Sequence, residues 1–413
     1  MHPISGRRAN LLIPALLAGL SMLGPFSIDT PFPAFAHMRE DFGATSAQMQ
    51  WIVSGYLFAF GAMSLFHGPI SDALGRKPVI MAGVGAYAVA SLAAAFAPNL
   101  GFLIGCRVVQ GACAGGGVVV SRTVIRDLFE GAAAQRLMSR VAMIFGLAPA
   151  IAPIIGGLLL KVGPWPGIFV FMALFGLLLV VAVAVLLPET HPVHRRTPLR
   201  LGVVLRSLGQ VARHGAYQRI AAMTALAGAS WFVYVGGAAI LMSDLLGRKE
   251  TEYWMLFVPM ISGVILGSWV SGRAAGHIGG RALVAGGFLI TLAGAITNVA
   301  ITSATDRLPY VVIGPALMSF GASVGFPTTQ LAMLDLFPTN RGSAASLATF
   351  VLLTLNSLIA AVLLPVVSGS VRELALASLV LISASILVGA LHLALSRRPW
   401  RTSTNPDDLA PAT

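Results

Sequence analysis

Residues 68–78 read Gly-Pro-Ile-Ser-Asp-Ala-Leu-Gly-Arg-Lys-Pro, a charged segment between two long apolar stretches at 48–69 and 78–97. Each stretch has about 20 residues, enough for a helix to cross the ~30 Å hydrocarbon core of a bilayer. The segment between them predicts a short loop, in which Gly68 and Gly75 allow a tight turn. Two antiparallel membrane helices joined by a charged loop are therefore the starting point for the fold.

The same alternation of apolar and polar segments continues along all 413 residues, of which 56% are hydrophobic and 10% charged. A soluble domain of this size needs far more charge on its surface. Lipid offers the backbone no hydrogen-bond partners, so membrane segments must be helices or barrel strands, and long stretches without period-2 alternation exclude the barrel. We predict an all-α membrane protein with twelve transmembrane helices, at about 11–34, 48–69, 78–97, 100–121, 137–160, 166–187, 220–242, 254–274, 281–303, 308–332, 343–367 and 373–396.

The positive charges divide unequally between the two sides of these spans. If both termini are cytoplasmic, 20 of the 27 Lys and Arg residues lie on the cytoplasmic side. Arg107 lies within a span, and 6 lie on the other side, at Arg39, Lys161, Arg248, Lys249, Arg307 and Arg372. This asymmetry follows the positive-inside rule and predicts a multi-pass protein of the bacterial inner membrane with both termini cytoplasmic. The net charge of +12 is then a topology signal, and a nucleic-acid partner has no support.

One long polar segment, 188–219, divides the chain. It contains three prolines and several Arg residues, so it predicts a cytoplasmic linker between a six-helix bundle at 1–187 and a second one at 220–396, with a cytoplasmic tail at 397–413. Weak internal repeats support duplication, since Gly68, Gly75 and Lys77 recur as Gly272, Gly279 and Arg281 at a constant offset.

Two further motifs lie inside predicted spans. The fourth span contains Arg107-Val108-Val109-Gln110-Gly111, and the fifth contains Gly146-Leu147-Ala148-Pro149-Ala150-Ile151-Ala152-Pro153-Ile154-Ile155-Gly156-Gly157. A guanidinium within a membrane is costly unless paired or hydrated, which makes Arg107 a candidate functional residue. The alternative is an Arg held in a static hydrogen-bond network. Glycines let helices approach closely in lipid, and prolines bend them.

Together with the 68–78 segment and Pro25 to Pro33 of the first span, these motifs resemble those of the major facilitator superfamily. Within it, they are most similar to the bicyclomycin/chloramphenicol-resistance (Bcr/CflA) group of drug:proton antiporters. The resemblance covers nearly the whole chain and is densest in residues 25–157. It implies two parallel six-helix repeats around a central cavity.

The resemblance also implies gating roles. In the 68–78 segment, Asp72 is expected to meet the positive N-terminal end of a helix in the other half, with Arg76 pairing to nearby acids, so that the cytoplasmic side latches shut. Gly68, Gly75 and Lys77 complete that signature, although a charged turn that only fixes topology is the alternative. The second-half copy has Gly276 in place of Asp72. Pro149, Pro153, Gly156 and Gly157 resemble the antiporter motif of the fifth helix.

Asp29 is the one acidic residue that lies well inside a predicted span, away from its first and last residues. From the predicted span ends, Asp29 lies ~8 Å and Arg107 ~10 Å from the outer surface, at 1.5 Å per helical residue. A buried carboxyl whose proton affinity depends on a nearby guanidinium can bind and release a proton as its surroundings alternate. We predict that Asp29 carries the proton and that Arg107 tunes it. The alternative is a hydrated structural pair in the outer interface.

Tyr56, Phe60, Gln110, Trp231 and Tyr234 are the predicted substrate-binding residues. Aromatic residues near span ends also anchor helices at the membrane interface, so this alternative stays open.

The favoured function is export of an antibiotic or toxic metabolite in exchange for protons. Uptake or efflux of a nutrient such as a sugar or amino acid is the alternative within transport. An enzyme or sensor would need a catalytic cluster or an output domain, and ATP drive would need a phosphate-binding loop. The sequence predicts a monomer in the lipid bilayer, with a small-molecule substrate and protons as partners and without a cofactor or metal.

Overall fold

The computed structural model describes residues 9–395, except the side chains of residues 9–11, 132, 133, 139 and 142. Over this range the chain is helical throughout, as predicted. The α-helices are α1 Ala9–Asp29, α2 Phe35–Phe42, α3 Ser46–Leu74, α4 Arg76–Ala95, α5 Leu100–Leu128, α6 Gly131–Val162, α7 Pro166–Leu186, α8 Leu201–Ala212, α9 Gly215–Gly236, α10 Trp254–Ala274, α11 Gly280–Ala304, α12 Ile313–Asp335, α13 Arg341–Leu358, α14 Leu364–Val366 and α15 Val371–Leu395. The predicted tail at 397–413 lies outside the described residues.

Within the described range, eleven helical stretches are long and apolar enough to cross a membrane. The remaining predicted span, 220–242, corresponds to α9 and the π-helical turn Ile240–Leu245 that follows it. α9 carries several Gly, Ser, Thr and Tyr residues, so it is less apolar than its neighbours. It packs against α12, α13 and α15 and thereby completes the second bundle.

The helices form two bundles. α1 and α3–α7 pack together in the first, and α9–α13 with α15 in the second. The bundles meet along two helix pairs, α3 with α13 and α6 with α10. At the first of these contacts, the Ser357 hydroxyl donates to the Ser54 carbonyl over 2.9 Å. The interface between the bundles therefore contains α3 and α6, which carry two of the three sequence motifs.

The predicted linker 188–219 contains a helix that was not expected. Leu208 and Val211 lie on one side of α8 and are buried, whereas other apolar residues of this helix are exposed. The Ser207 hydroxyl hydrogen-bonds the Ser343 hydroxyl of α13 over 2.8 Å. The linker is thus held against the second bundle by a short amphipathic helix.

The first predicted span, 11–34, is not one continuous helix. α1 ends at Asp29, a 3-10 turn follows at Phe32–Ala34, and α2 begins at Phe35. Pro31 and Pro33 cause the break, because neither can donate a backbone hydrogen bond to the preceding turn.

The predicted loop at 68–78 is wrong in its extent, since α3 continues to Leu74 and α4 begins at Arg76. Only Gly75 separates the two helices, and its φ of 99° lies in a region that side chains disfavour. Both helices extend beyond their apolar cores, which is why hydropathy placed the end of α3 too early and the start of α4 too late. A single glycine therefore makes the reversal between α3 and α4.

Replacing Gly75 by alanine should lower the thermal stability of the purified protein. A Cβ there would lie 2.6 Å from Glu189 Oε2, in addition to the strain of the positive φ. The expected cost exceeds about 1 kcal/mol. Gly68→Ala is the matched control, because it lies in helix α3 with nothing within 4 Å of the added Cβ. Equal melting temperatures for the two variants would contradict this role of Gly75.

Candidate functional site

Asp29 is the last residue of α1 and is buried, with 2% of its surface exposed. Its Oδ1 atom is buried and has no hydrogen-bond partner. Within the described part of the chain it is the only buried acidic residue. A carboxyl in this position has few groups to stabilise a negative charge.

Arg107 in α5 is fully buried beside the end of α1. Its Nη2 donates to the Ser27 carbonyl over 2.7 Å, and its Nε donates to the Ile52 carbonyl over 3.2 Å. The guanidinium also lies over the Tyr56 ring, 4.5 Å from its centroid. Carbonyl oxygens and a ring face thus take the place of water around this charge.

The break in α1 explains why Arg107 bonds to Ser27. In a continuous helix the Ser27 carbonyl would accept from the residue four positions on, which is Pro31 and has no N–H. Arg107 supplies the missing donor. The α1 break and the buried guanidinium are therefore parts of one arrangement.

Arg107 bonds to the end of α1 that carries Asp29, but it does not bond to Asp29 itself. Among the ion pairs of the described residues, none within 4.0 Å includes Asp29. Arg107 instead reaches the backbone two residues before it. The two residues thus lie in one buried cluster, and the ion pair of the alternative interpretation, a hydrated structural pair, is not formed in this conformation.

A polar network that the sequence reasoning missed extends from this cluster into α4. Gln110 accepts a hydrogen bond from Arg107 Nη1 over 2.7 Å and donates one to Ser91 Oγ over 2.7 Å. The hydroxyls of Ser27 and Tyr87 lie 2.5 Å apart. Tyr87 and Ser91 are four residues apart on one face of an apolar helix, and that spacing is the signal that could have found them.

The second group of site residues surrounds a cavity of about 720 Å³ at the end of the molecule where α8 lies. Residues of α3 and α5 line one side and residues of α8 and α13 the other, so the cavity lies between the bundles. Its polar and charged lining includes Ser64, Asp72, Arg76, Arg122, Arg126, Ser207, Ser343 and Thr349.

At the opposite end the bundles are in contact. Arg39 Nη1 lies 2.8 Å from Asp244 Oδ1, and the Ser46 hydroxyl donates to Asp244 Oδ2 over 2.8 Å. Nearby, the rings of Phe32 and Phe257 stack at 6.3 Å. The protein is therefore open at the α8 end and closed at the other end.

Two glycines of the α6 motif lie at this closed end. Gly156 packs against the Thr30 carbonyl and Pro33, where the α1 break lies, and Gly157 packs against the Glu250 carbonyl of the second bundle. A Cβ at Gly157 would lie 2.5 Å from that oxygen. The prolines of this motif, Pro149 and Pro153, lie within the same helix.

The charged motif at the open end is held within the first bundle and the start of the linker. Arg76 Nη1 lies 2.5 Å from Asp72, and its Nε lies 3.2 Å from Asp127. The backbone N–H groups of Arg76 and Lys77 donate to Glu189, over 3.0 and 3.3 Å. Glu189, which the sequence did not single out, therefore caps the N-terminus of α4, where a helix favours negative charge. Asp72 lines the cavity and pairs with Arg76 at the start of α4. The predicted contact of Asp72 with the N-terminus of a helix in the second bundle is not formed in this conformation.

The five predicted substrate-binding residues lie in two places. Tyr56 and Gln110 contact Arg107, and the Phe60 ring meets the Tyr56 ring edge to face at 6.1 Å. Trp231 and Tyr234 lie on α9, and the Tyr234 hydroxyl accepts a hydrogen bond from Asn298. None of the five is among the described residues that line the 720 Å³ cavity. The structure thus does not bring them together into one pocket.

Two helical bundles with a cavity between them, open at one end, define a multi-pass membrane transporter. A family model described as Major Facilitator Superfamily matches residues 17–361. The chain belongs to this superfamily, which confirms the family and fold predicted from the motifs.

Named relatives extend the comparison. The chain is 30% identical over 342 residues to "Multidrug resistance protein D" of Escherichia coli K12, covering 83% of this chain and 85% of the relative. It is 30% identical over 265 residues to "Bicyclomycin resistance protein homolog" of Haemophilus influenzae, covering 64% and 67%. The predicted similarity to the bicyclomycin/chloramphenicol-resistance group is confirmed.

Solved structures show the same fold. A bacterial homolog of the human lysosomal transporter Spinster, in an inward-facing and unoccupied conformation, superimposes with a TM-score of 0.72. It is 12% identical, and the match covers 94% of this chain and 97% of that one.

Proposed function

We propose that this protein exports a drug-like small molecule in exchange for protons by alternating access, without enzymatic activity. The observation that carries the proposal is the carboxyl of Asp29, the one buried acidic group among the described residues, beside the buried guanidinium of Arg107. The names of the relatives support a drug as the transported substrate. The resemblance of the α6 segment to the antiporter motif favours exchange rather than symport, and Gly156 and Gly157 of that segment contact the end of α1 and the second bundle.

The open end of the protein faces the cytoplasm in this proposal. Arg122 and Arg126 line the cavity there, and the positive-inside rule assigns clusters of Arg to that side. Both termini are then cytoplasmic, and the conformation described is inward-facing. We further propose that a single chain in the bacterial inner membrane is the working unit, because the cavity is enclosed by its own two bundles.

Proton exchange follows from the position of Asp29. The stacked Phe32 and Phe257 rings close the outer end, and Asp29 lies three residues before Phe32. When these outer contacts separate, water reaches the end of α1 and Asp29 binds a proton from outside. Neutralising the carboxyl weakens its attraction for Arg107. After the protein returns to the inward-facing conformation, substrate binding lowers the affinity of Asp29 for the proton, which dissociates into the cytoplasm. One proton therefore enters the cell for each cycle in which substrate leaves it. A cationic substrate would compete at Asp29 directly, and a neutral one would act through the conformational change.

Closure of the cytoplasmic side, in which Asp72 takes part, is the other half of this cycle. Asp72 lines the open cavity, and its side chain is 45% exposed, so it is free to meet the second bundle when the cavity closes. Gly75 makes the turn that follows Asp72, Arg76 pairs with it, and Glu189 holds the backbone of Arg76 and Lys77, whereas Gly68 lies one turn earlier in α3 and lines the same cavity.

Asp72→Asn should slow net transport while leaving substrate affinity in the inward-facing conformation unchanged. In the open conformation the change weakens only the partly exposed pair with Arg76, which is worth about 1 kcal/mol or less. On closure it removes the charge that meets the second bundle. Initial transport rates and equilibrium binding in detergent would separate the two effects. Asp335→Asn is the matched control, since Asp335 pairs with Arg341 outside the cavity lining. Equal loss of binding and rate would contradict a gating role for Asp72.

The proposed function itself is tested by expression in a host that lacks its own efflux pumps. Against a panel that includes bicyclomycin and chloramphenicol, the minimum inhibitory concentration should rise for at least one compound. A change in growth on a sugar or amino acid, with unchanged susceptibility to the whole panel, would overturn drug export in favour of nutrient transport.

A further inference from the structure

A second cavity lies on the outer surface of the second bundle, away from the interface between the bundles. It has a volume of about 660 Å³ and is formed by α9, α11 and α15 at their α8-side ends. Its walls are largely apolar, with Val284 and Phe288 on one side and Ile386 on the other. A groove in this position on a membrane protein opens toward lipid and not toward the transport path.

Basic side chains surround one end of this groove. Arg281 and His392 line it, and Arg219 and Arg281 both lie close enough to His392 to act on it electrostatically. Arg219 lies one helical turn before Met223, another lining residue, and its Nε is buried without a hydrogen-bond partner. Of the described residues that line the groove, none is acidic.

The helix end beside Arg281 adds to this positive potential. α11 begins at Gly280, and no side chain caps its first turn. The N-terminus of a helix carries a partial positive charge and free N–H groups, both of which favour an anion.

We propose that this groove binds an anionic phospholipid of the cytoplasmic leaflet. The phosphate lies against Arg219, Arg281 and the first turn of α11, and one acyl chain lies along the apolar wall between α11 and α15. Basic pockets between membrane helices on the cytoplasmic side are suited to anionic headgroups. The site is separate from the transport cavity and does not depend on the proposed substrate.

Native mass spectrometry of the full-length protein in detergent tests this site with two lipids, dioleoylphosphatidylglycerol and dioleoylphosphatidylcholine. The wild-type protein should retain the anionic lipid preferentially. Changing both Arg219→Gln and Arg281→Gln should weaken that binding about thirty-fold, taking about 1 kcal/mol per basic residue. Arg273→Gln is the matched control, because Arg273 is exposed on α10 over the Trp269 ring and outside the groove lining.

A second variant fills the groove without changing its charge. Ala285 is an exposed lining residue, so Ala285→Trp should displace the lipid while the protein stays folded. Equal retention of both lipids by the wild type, or a double variant no weaker than Arg273→Gln, would overturn the proposal. A wild-type dimer that Ala285→Trp dissociates would also overturn it, since a second copy would then occupy the groove.

Discussion

Inverted membrane vesicles that contain the Asp29→Asn variant should show no substrate uptake in response to a pH gradient. Asparagine has nearly the same size as aspartate and cannot bind a proton in this pH range. The carboxyl it replaces is buried, with an oxygen that lacks a partner, so the change removes no hydrogen bond from that atom. The measurement is the initial rate of pH-driven uptake of the panel compound that shows the largest resistance change.

The variant must be shown to be folded and able to move substrate. Exchange of labelled for unlabelled substrate without a pH gradient should persist, because it needs alternating access but no net proton movement. Asp306→Asn makes the same chemical change at an exposed position and should behave as the wild type. Full pH-driven uptake by Asp29→Asn would end the proposal that this carboxyl carries the proton.

Gly157→Val should stop transport by preventing closure of the outer end. The two bundles touch there so closely that any side chain at this position meets the backbone of Glu250 and Thr251. Backbone cannot move aside as a flexible side chain does, so the outer contacts must separate. We expect the protein to be held outward-facing, with a transport rate reduced to that of vesicles without the transporter.

Cysteine labelling from outside reports this state. Met49 is buried at the outer contact between the bundles, so Met49→Cys should react slowly with an impermeant maleimide. Adding Gly157→Val should make it react rapidly. Gly146 lies in the same helix, and a Cβ added there has nothing within 4 Å. Adding Gly146→Val to Met49→Cys should therefore leave the cysteine as slow to react as in Met49→Cys alone. Equal labelling of the two valine variants would show that Gly157 does not govern closure.

The sequence predicted what depends on local pattern. Apolar length located the spans, and the Arg distribution marked one side of the membrane. It also singled out Asp29 and Arg107 because charges are rare within apolar stretches. These signals are strong since burial in lipid penalises each charge separately.

Contacts between residues far apart in the chain could not be predicted from the sequence. Arg39 and Asp244 are ordinary loop charges until the fold brings them together across the outer end. Glu189 gave no signal either, because capping α4 requires the linker to return to the turn at Gly75.

The contacts of Arg107 illustrate the same limit. Comparable depths predict that Arg107 lies near Asp29, but they do not predict that the guanidinium bonds to the Ser27 carbonyl. The sequence contained the reason, since Pro31 leaves that carbonyl without its helical partner. Recognising this required knowing that α1 stops at Asp29 and that α5 passes beside its end.

In the proposed cycle, substrate binding releases the proton held by Asp29. The most direct test adds the transported compound to the purified protein in weakly buffered detergent solution and follows a pH indicator across a series of starting pH values. The wild-type protein should release protons on binding, and Asp29→Asn should bind the same compound and release none. Equal proton release by both proteins would show that the released proton does not come from Asp29.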